Sequence, residues 1–188
     1  GQRISKIYKE ANIKKLTCFE PSLEMYKLLS KFEFINPENI SAQKFIKKYS
    51  SKFDVATALW NVFGHISSLE NLEKSLINIR KYLKKDGKLI IDVNNRLNAS
   101  SYGLHVALYR IIIDYFNFKR VRGDVKNIWK VDGKEVIGYG HIFSPFEIKN
   151  IIKKNNFEIE KILYVNYENG TVSNNLFNGQ MFIISKRK

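Results

Sequence analysis

Two residues able to handle a proton or orient a nucleophile stand at the ends of strand-like runs. His65 follows the largely apolar run that starts at Phe53, and Asn94 closes KLIIDVN from Lys88. A histidine can accept a proton near neutral pH, and an asparagine amide can orient an amine or hydroxyl, so the pair suits chemistry on such a group. Plainer roles stay open: His65 as a structural histidine bonded to backbone, and Asn94, Asn95 and Arg96 as turn residues. Glu20 ends another short run about twenty residues after Gly1. A carboxylate there can bond both hydroxyls of a ribose, or else cap the next helix. Tyr102, His105, Trp129, Tyr139 and His141 are polar-tipped aromatics available to line a substrate pocket or to pack a core. The three histidines are far apart in sequence and no local carboxylate cluster completes a site, so no metal is expected.

These residues need elements to place them. Phe53 to Leu59 and Lys88 to Val93 are apolar runs of strand length, suited to strands covered on both faces. Between them Leu69, Leu72, Leu76, Ile79 and Leu83 form one helical stripe, with Ser67 and Glu70 at capping-box spacing and Asp86-Gly87 as the stop. That is a βαβ crossover, and in such sheets ligands bind beyond the carboxyl ends of the strands. Upstream, helical spacing starts at Ile4, Leu16 to Phe19 reads as a strand, and Pro21-Ser22 opens a helix through Leu23, Tyr26 and Leu29. Phe34 and Ile35 suggest a further short strand before a lysine-rich connection.

Downstream, Leu104, Leu108, Ile111 and Tyr115 mark one face of a helix. Val125 to Val131 and Lys134 to Phe143 alternate about Asp132-Gly133 as a hairpin. Ser144, Pro145 and Glu147 begin another helix, and Phe157 to Tyr164 and Gln180 to Ser185 close the chain as an antiparallel pair. The alternation gives an α/β fold: an open, doubly wound, mostly parallel sheet with an antiparallel C-terminal edge strand. A length of 188 residues suits one domain, with the helix and hairpin of about 97–143 as a substrate-side insertion.

A single cysteine excludes disulfides within the chain, and with no signal peptide visible a cytoplasmic location is expected. The apolar stretch from Leu104 to Phe118 is too short to span a bilayer, and no membrane partner is expected. The net charge of +14 raises nucleic acid as a partner, but the lysines are spread over most predicted helices rather than gathered in one stripe.

Gly1, FEPS at 19–22, FDVATALWNVFGHI at 53–66, LKKDGKLIIDVNN at 83–95 and HIFSPFEIKNIIKKNNFEI at 141–159 together resemble the class I S-adenosylmethionine-dependent methyltransferases, in order and spacing over nearly the whole chain. WNVFGHI and IDVNNR look most like the small-molecule branch that includes glycine and sugar-amine N-methyltransferases. The resemblance implies a Rossmann-like fold that binds S-adenosylmethionine and releases S-adenosylhomocysteine. Gly1 would be the last glycine of the first motif, Glu20 the ribose-binding acid, and Pro21 a neighbour of the adenine. Ser41 and Ala42 fall at the adenine-contacting turn, where the usual aspartate is absent. Leu59, Trp60 and Asn61 would lie along the methionine part.

The family's first strand precedes its glycine motif and is missing from this sequence, which predicts that the biological chain extends upstream of Gly1. Three functions follow: methyl transfer to an amine or hydroxyl of a small molecule, RNA methylation on the same fold, or a catalytically inactive, methyltransferase-like interaction domain.

Overall fold

The computed structural model describes residues 8, 10–117, 119–131 and 133–188, the side chains of Trp129 and Val131 excepted. Gly1 and most of the helix expected around Ile4 to Ala11 therefore lie outside the described residues, as does Asp132 of the expected hairpin turn. Backbone contacts divide the chain into two compact units, Gly1–Phe45 and Ile46–Lys188.

In the first unit, β1 (Leu16–Phe19) runs parallel to β2 (Ile35–Glu38) in a two-stranded sheet. Between them lies α1 (Leu23–Leu29), whose N-cap Ser22 accepts from the Met25 N–H. Proline before a hydroxyl cap starts this helix as the sequence predicts.

The second unit is built on a five-stranded sheet in the order β3–β4–β9–β7–β8. The strands β3 (Phe53–Ala58) and β4 (Leu83–Val93) are parallel, and α2 (Leu69–Tyr82) crosses between them. The last three strands are β7 (Phe157–Val165), β8 (Val172–Ser173) and β9 (Gln180–Arg187). Because β9 is antiparallel to both β4 and β7, the strands β3, β4 and β7 run the same way. The antiparallel C-terminal strand thus sits inside the sheet rather than at its edge. Its alternate residues Met181, Ile183 and Ser185 are buried opposite Val93, Ile91 and Leu89.

The core lies where Leu72 and Leu76 of α2, and Ile148 and Ile152 of α5 (Pro145–Lys154), meet this sheet around Phe63, Phe143 and Phe157. Burial of each such side chain contributes about 2 kcal/mol. Helix α5 begins as predicted, with Ser144 accepting from the Glu147 N–H at 3.1 Å and Pro145 in the first turn. In α2 the cap is Ser68 rather than Ser67: Ser68 Oγ accepts from the Asn71 N–H, while Ser67 Oγ accepts from the Asn71 side chain. That helix stops at Tyr82 and not at Asp86-Gly87. The chain turns extended at Leu83, pairs once with Phe53, and re-registers through Asp86 at φ +65° before Lys88 pairs with Val55. Strand β3 was expected to be covered on both faces, yet Val55 is 48% exposed and Ala58 is the strand's one fully buried residue.

Between β4 and α5 come the short helix α3 (Ala99–Tyr102), the longer α4 (Leu104–Phe116), and a hairpin of β5 (Asp124–Val131) and β6 (Lys134–His141). The hairpin turns through Gly133 at φ +76°, a conformation that favours glycine. The apolar face predicted for α4 is not buried: Ala107 is its one buried residue. Its polar residues turn inward instead, as described below.

Candidate active site

The carboxyl ends of β3 and β4 meet through one side chain. After Ala58 and Leu59 the backbone passes through two consecutive left-handed residues, Trp60 at φ +67° and Asn61 at φ +53°. Asparagine tolerates this conformation, whereas for tryptophan it costs on the order of 1–2 kcal/mol. Buried Asp92 holds the turn by accepting the Asn61 N–H at 2.8 Å. The Asn61 side chain then accepts from the Asn94 N–H at 3.0 Å and donates to the His141 carbonyl at 3.3 Å. One amide therefore ties together the ends of β3, β4 and β6.

A single 3-10 turn, Val62–His65, carries the chain onward. A Cβ on Gly64 would stand 2.2 Å from Asn61 Nδ2 and 2.4 Å from the His141 carbonyl oxygen, so only glycine fits. His65 Nδ1 lies 3.4 Å from the Tyr139 carbonyl oxygen. An acceptor in that position selects the tautomer protonated on Nδ1 and leaves Nε2 with its lone pair.

Trp60, Asn61, His65 and Asn94 line one cavity of about 270 Å³, together with Val125, Asn127, Gly140 and Tyr167. Tyr167 follows the end of β7, donates its hydroxyl to Asp92 Oδ2 at 2.7 Å, and sets its ring 6.1 Å from that of Trp60 at a tilt of 41°. Asp92 thus fixes both the turn of β3 and an aromatic wall. The cavity lining carries amides, aromatics and one imidazole but no formal charge.

The sequence did not single out Asp92, Asn127, Gly140 or Tyr167. A sequence signal existed for Asp92, since an acid inside the apolar run KLIIDV needs donors if it is buried, whereas the direction of β7 that delivers Tyr167 emerges only from the sheet.

The other predicted residues lie elsewhere. Asn95 is buried and spent on structure: its N–H donates to Gln180 Oε1 at 2.6 Å, its side chain donates to the Leu176 and Gly179 carbonyls, and its Oδ1 accepts from the Leu97 N–H. Tyr102 lies under the Arg110 guanidinium, 4.5 Å away, and His105 is exposed. Tyr139 reaches His65 through its backbone while its side chain is largely exposed. Trp129 pairs with Val136 along the hairpin, and its side chain is outside the described residues.

His141 does not line the cavity. Its ring is buried among Asp124 at 2.7 Å, Glu147 at 3.1 Å and Arg120 at 3.1 Å, a network that joins both hairpin strands to the start of α5. Among the described residues no group of three or more His, Cys, Asp or Glu is placed to hold a metal ion.

In the first unit, Glu20 follows β1 and its N–H donates to the Glu38 carbonyl at 3.0 Å. One carboxylate oxygen accepts from the Ser22 N–H at 2.8 Å, and among the described residues the other has no hydrogen-bond partner. Asn39 donates to the carbonyls of Glu20 and Pro21, and Ser41 and Ala42 form the turn after β2, where Lys44 N–H returns to the Ser41 carbonyl. Glu20, Pro21, Ser41 and Ala42 are thus gathered at the carboxyl ends of β1 and β2. Burial pushes the neighbouring Cys18 thiol pKa up, keeping it protonated.

A family model described as a methyltransferase domain matches residues 4–162. No curated protein matches the sequence. Among solved structures, a SAM-dependent methyltransferase from Methanosarcina mazei is 14% identical, with 92% of this chain and 82% of that one covered at a TM-score of 0.66. A SAM-dependent methyltransferase from Thermotoga maritima, described as a possible histamine N-methyltransferase, is 17% identical over 98% and 77% of the two chains at 0.64. An amino pentose methyltransferase from Micromonospora echinaspora, solved with SAM bound, is 9% identical over 95% and 76% at 0.58. At these identities the structures speak to the fold, and the family rests on the matched model. Because that model spans most of the sequence, the chain belongs to the methyltransferase domain family and is an S-adenosylmethionine-dependent methyltransferase.

Proposed function

We propose that this methyltransferase acts on an amine or hydroxyl of a small molecule held in the cavity at the ends of β3 and β4. The observation that carries the reading is that cavity: about 270 Å³, lined by Trp60, Asn61, His65, Asn94, Asn127 and Tyr167. Its size falls just below the usual range for ligand pockets and suits a compact acceptor. Asn94 and Asn127 offer amides to orient the acceptor, and His65 takes its proton at Nε2 as the nucleophile forms.

Glu20 fits the ribose of the cofactor, because one carboxylate oxygen is anchored on Ser22 while the other is left to accept. Pro21, Ser41 and Ala42 stand at the same strand ends, where an adenine would be expected. Leu59, Trp60 and Asn61 are the residues assigned to the methionine portion, and Gly1 keeps its assignment from the sequence alone. When bound, S-adenosylmethionine supplies a methyl carbon already activated by the sulfonium charge. The protein's part is to orient the acceptor, accept its proton and exclude water. One neighbour in fold is described as a possible histamine N-methyltransferase and another as an amino pentose methyltransferase, which favours an amine-bearing acceptor.

The test is label transfer from methyl-labelled S-adenosylmethionine to histamine, amino sugars and their hydroxyl analogues, with bulk RNA in parallel. Label in a small amine or hydroxyl compound supports the reading, and label found only in RNA overturns it. Glu20→Gln should weaken S-adenosylhomocysteine binding by roughly 10-fold in calorimetry, about 1.4 kcal/mol.

A further inference from the structure

Helix α4 is built inside out. Its two charged residues, Arg110 and Asp114, lie one turn apart and face the protein. Arg110 donates to the Arg96 carbonyl at 2.6 Å, and Arg96 pairs with Asp114 Oδ2 at 2.7 Å with both side chains about nine-tenths buried. Ala107 is buried and Val106, Ile111 and Ile113 are half-buried, while the remaining apolar residues face outward. Leu104, Leu108, Tyr109 and Ile112 are exposed, and Tyr115 and Phe116 are exposed by 84% and 79%. Each such side chain left in water forgoes the stabilisation that burial would supply, and an apolar patch of this kind marks an interaction surface.

The patch continues past the helix. Val121 and Phe146 are exposed, and Phe146 shares with Tyr115, Leu97 and Ile111 a groove of about 410 Å³. Its rim is basic. Arg122, half-buried and paired with Asp114 at 3.5 Å, donates to the Asn117 carbonyl at the end of α4, exposed Lys119 lies beside it, and on α5 half-buried Lys149 and exposed Lys153 follow Phe146 at the three- and seven-residue spacings of one helix face. Between Leu97 and Gly123 the only acidic residue is Asp114, which is buried against Arg96. Glu147, which lines the groove with Asp114, is likewise buried, against His141, so the exposed residues named here are apolar or basic, with the half-exposed Asp124 the next acid along the chain, on a protein of net charge +14.

That combination selects the partner. A second copy would bring two basic rims and two +14 chains together across an uncharged contact. RNA would find aromatic faces to stack on but nothing to engage Leu104, Leu108 and Ile112. An anionic lipid surface meets both requirements: headgroups neutralise the lysine and arginine rim, and the apolar side chains enter the boundary between headgroups and acyl chains. We propose that α4, with Val121 and Phe146, seats this protein on an anionic bilayer surface. It does so without crossing the bilayer, since no helix among the described residues is long and apolar enough to span one. This departs from the sequence expectation of no membrane partner, because the sequence alone assigned the apolar face of α4 to the core.

Cosedimentation of the full chain with vesicles tests the proposal. Binding to phosphatidylcholine vesicles containing phosphatidylglycerol should exceed binding to phosphatidylcholine alone by roughly 10-fold and weaken with added salt. Ile112→Glu and Phe116→Glu should lower it by a further factor of about 10 at unchanged melting temperature. If either glutamate variant melts early, Tyr115→Ser, at the most exposed position of the helix, replaces it. No sedimentation with the anionic vesicles at low salt overturns the proposal, as does full binding by folded face variants. A dimer in light scattering that the face variants dissociate, without vesicle binding, assigns the face to a second copy and overturns it equally.

Discussion

At the scale of single residues, the site depends on how few groups are spared from structural duty. Asn61 spends its amide on Asn94 and His141, Asn95 spends its own on Gln180, Leu176 and Gly179, and His141 is held by two carboxylates and an arginine. His65 keeps Nε2 in hand, and His65→Asn is expected to lower kcat by about 10²-fold while S-adenosylhomocysteine affinity in calorimetry stays within about two-fold. A parallel loss of cofactor affinity would assign His65 to the fold of the site instead. Tyr167 reports on Asp92. Tyr167→Phe preserves the ring against Trp60 but removes the donor to a buried carboxylate oxygen, so stability should fall by about 1–3 kcal/mol in chemical denaturation. Unchanged stability would mean that Asp92 finds its second donor elsewhere.

At the scale of elements, what was legible in the sequence is what depends on local chemistry. The start of α5 at Ser144-Pro145, the start of α1 at Ser22, the β5–β6 hairpin and the β3–α2–β4 crossover all follow from caps, turn residues and periodicity within a few positions. The errors fall where a distant partner decides. Periodicity finds the apolar stripe on α4 but cannot tell which side the protein lies on, and the Arg96–Asp114 pair, 18 residues apart, turns the helix over. The early stop of α2 at Tyr82 goes with the pairing of Leu83 with Phe53, which no local motif encodes. In the site, His65 and Asn94 were read from strand ends and Trp60 and Asn61 from the family resemblance, while Tyr167 arrives from about 75 residues beyond Asp92. The 3-10 turn after β3 is the element that brings these four together, and its tolerance is narrow. Gly64→Ala places a methyl inside contact distance of Asn61 and the His141 carbonyl, one of which is backbone. The expected cost is about 2–4 kcal/mol, read as a lower denaturation midpoint, with catalytic loss exceeding the loss of folded protein because Asn61 must move. A variant as stable and active as the wild type would show that the turn yields freely.

At the scale of the whole molecule, a chain with 32 lysines and arginines against 18 acids repels itself at neutral pH, and raising the pH relieves that repulsion as lysines lose protons. Charge alone therefore predicts a protein that becomes more stable in mild alkali. The buried tyrosines oppose this. Burial pushes the phenol of Tyr164 above its ordinary value of 10.0, and burial does the same for Tyr82. The hydrogen bond and charge of Asp86 likewise hold Lys186 above 10.5. Each group binds its proton more tightly folded than unfolded, so its contribution is fully present below the unfolded value and is lost as pH rises through the folded one. For the tyrosines that window opens near pH 10, where the unfolded chain ionises first and gains stability relative to the fold. Melting temperature is expected to hold or rise slightly up to about pH 9 and then to fall above about pH 10. Tyr164→Phe separates the two effects, because below pH 10 it leaves the net charge unchanged. Its melting temperature should fall less than that of the wild type between about pH 10 and 11. An equal fall in both proteins would assign the alkaline loss to Tyr82 and Lys186 rather than to the buried phenol of β7.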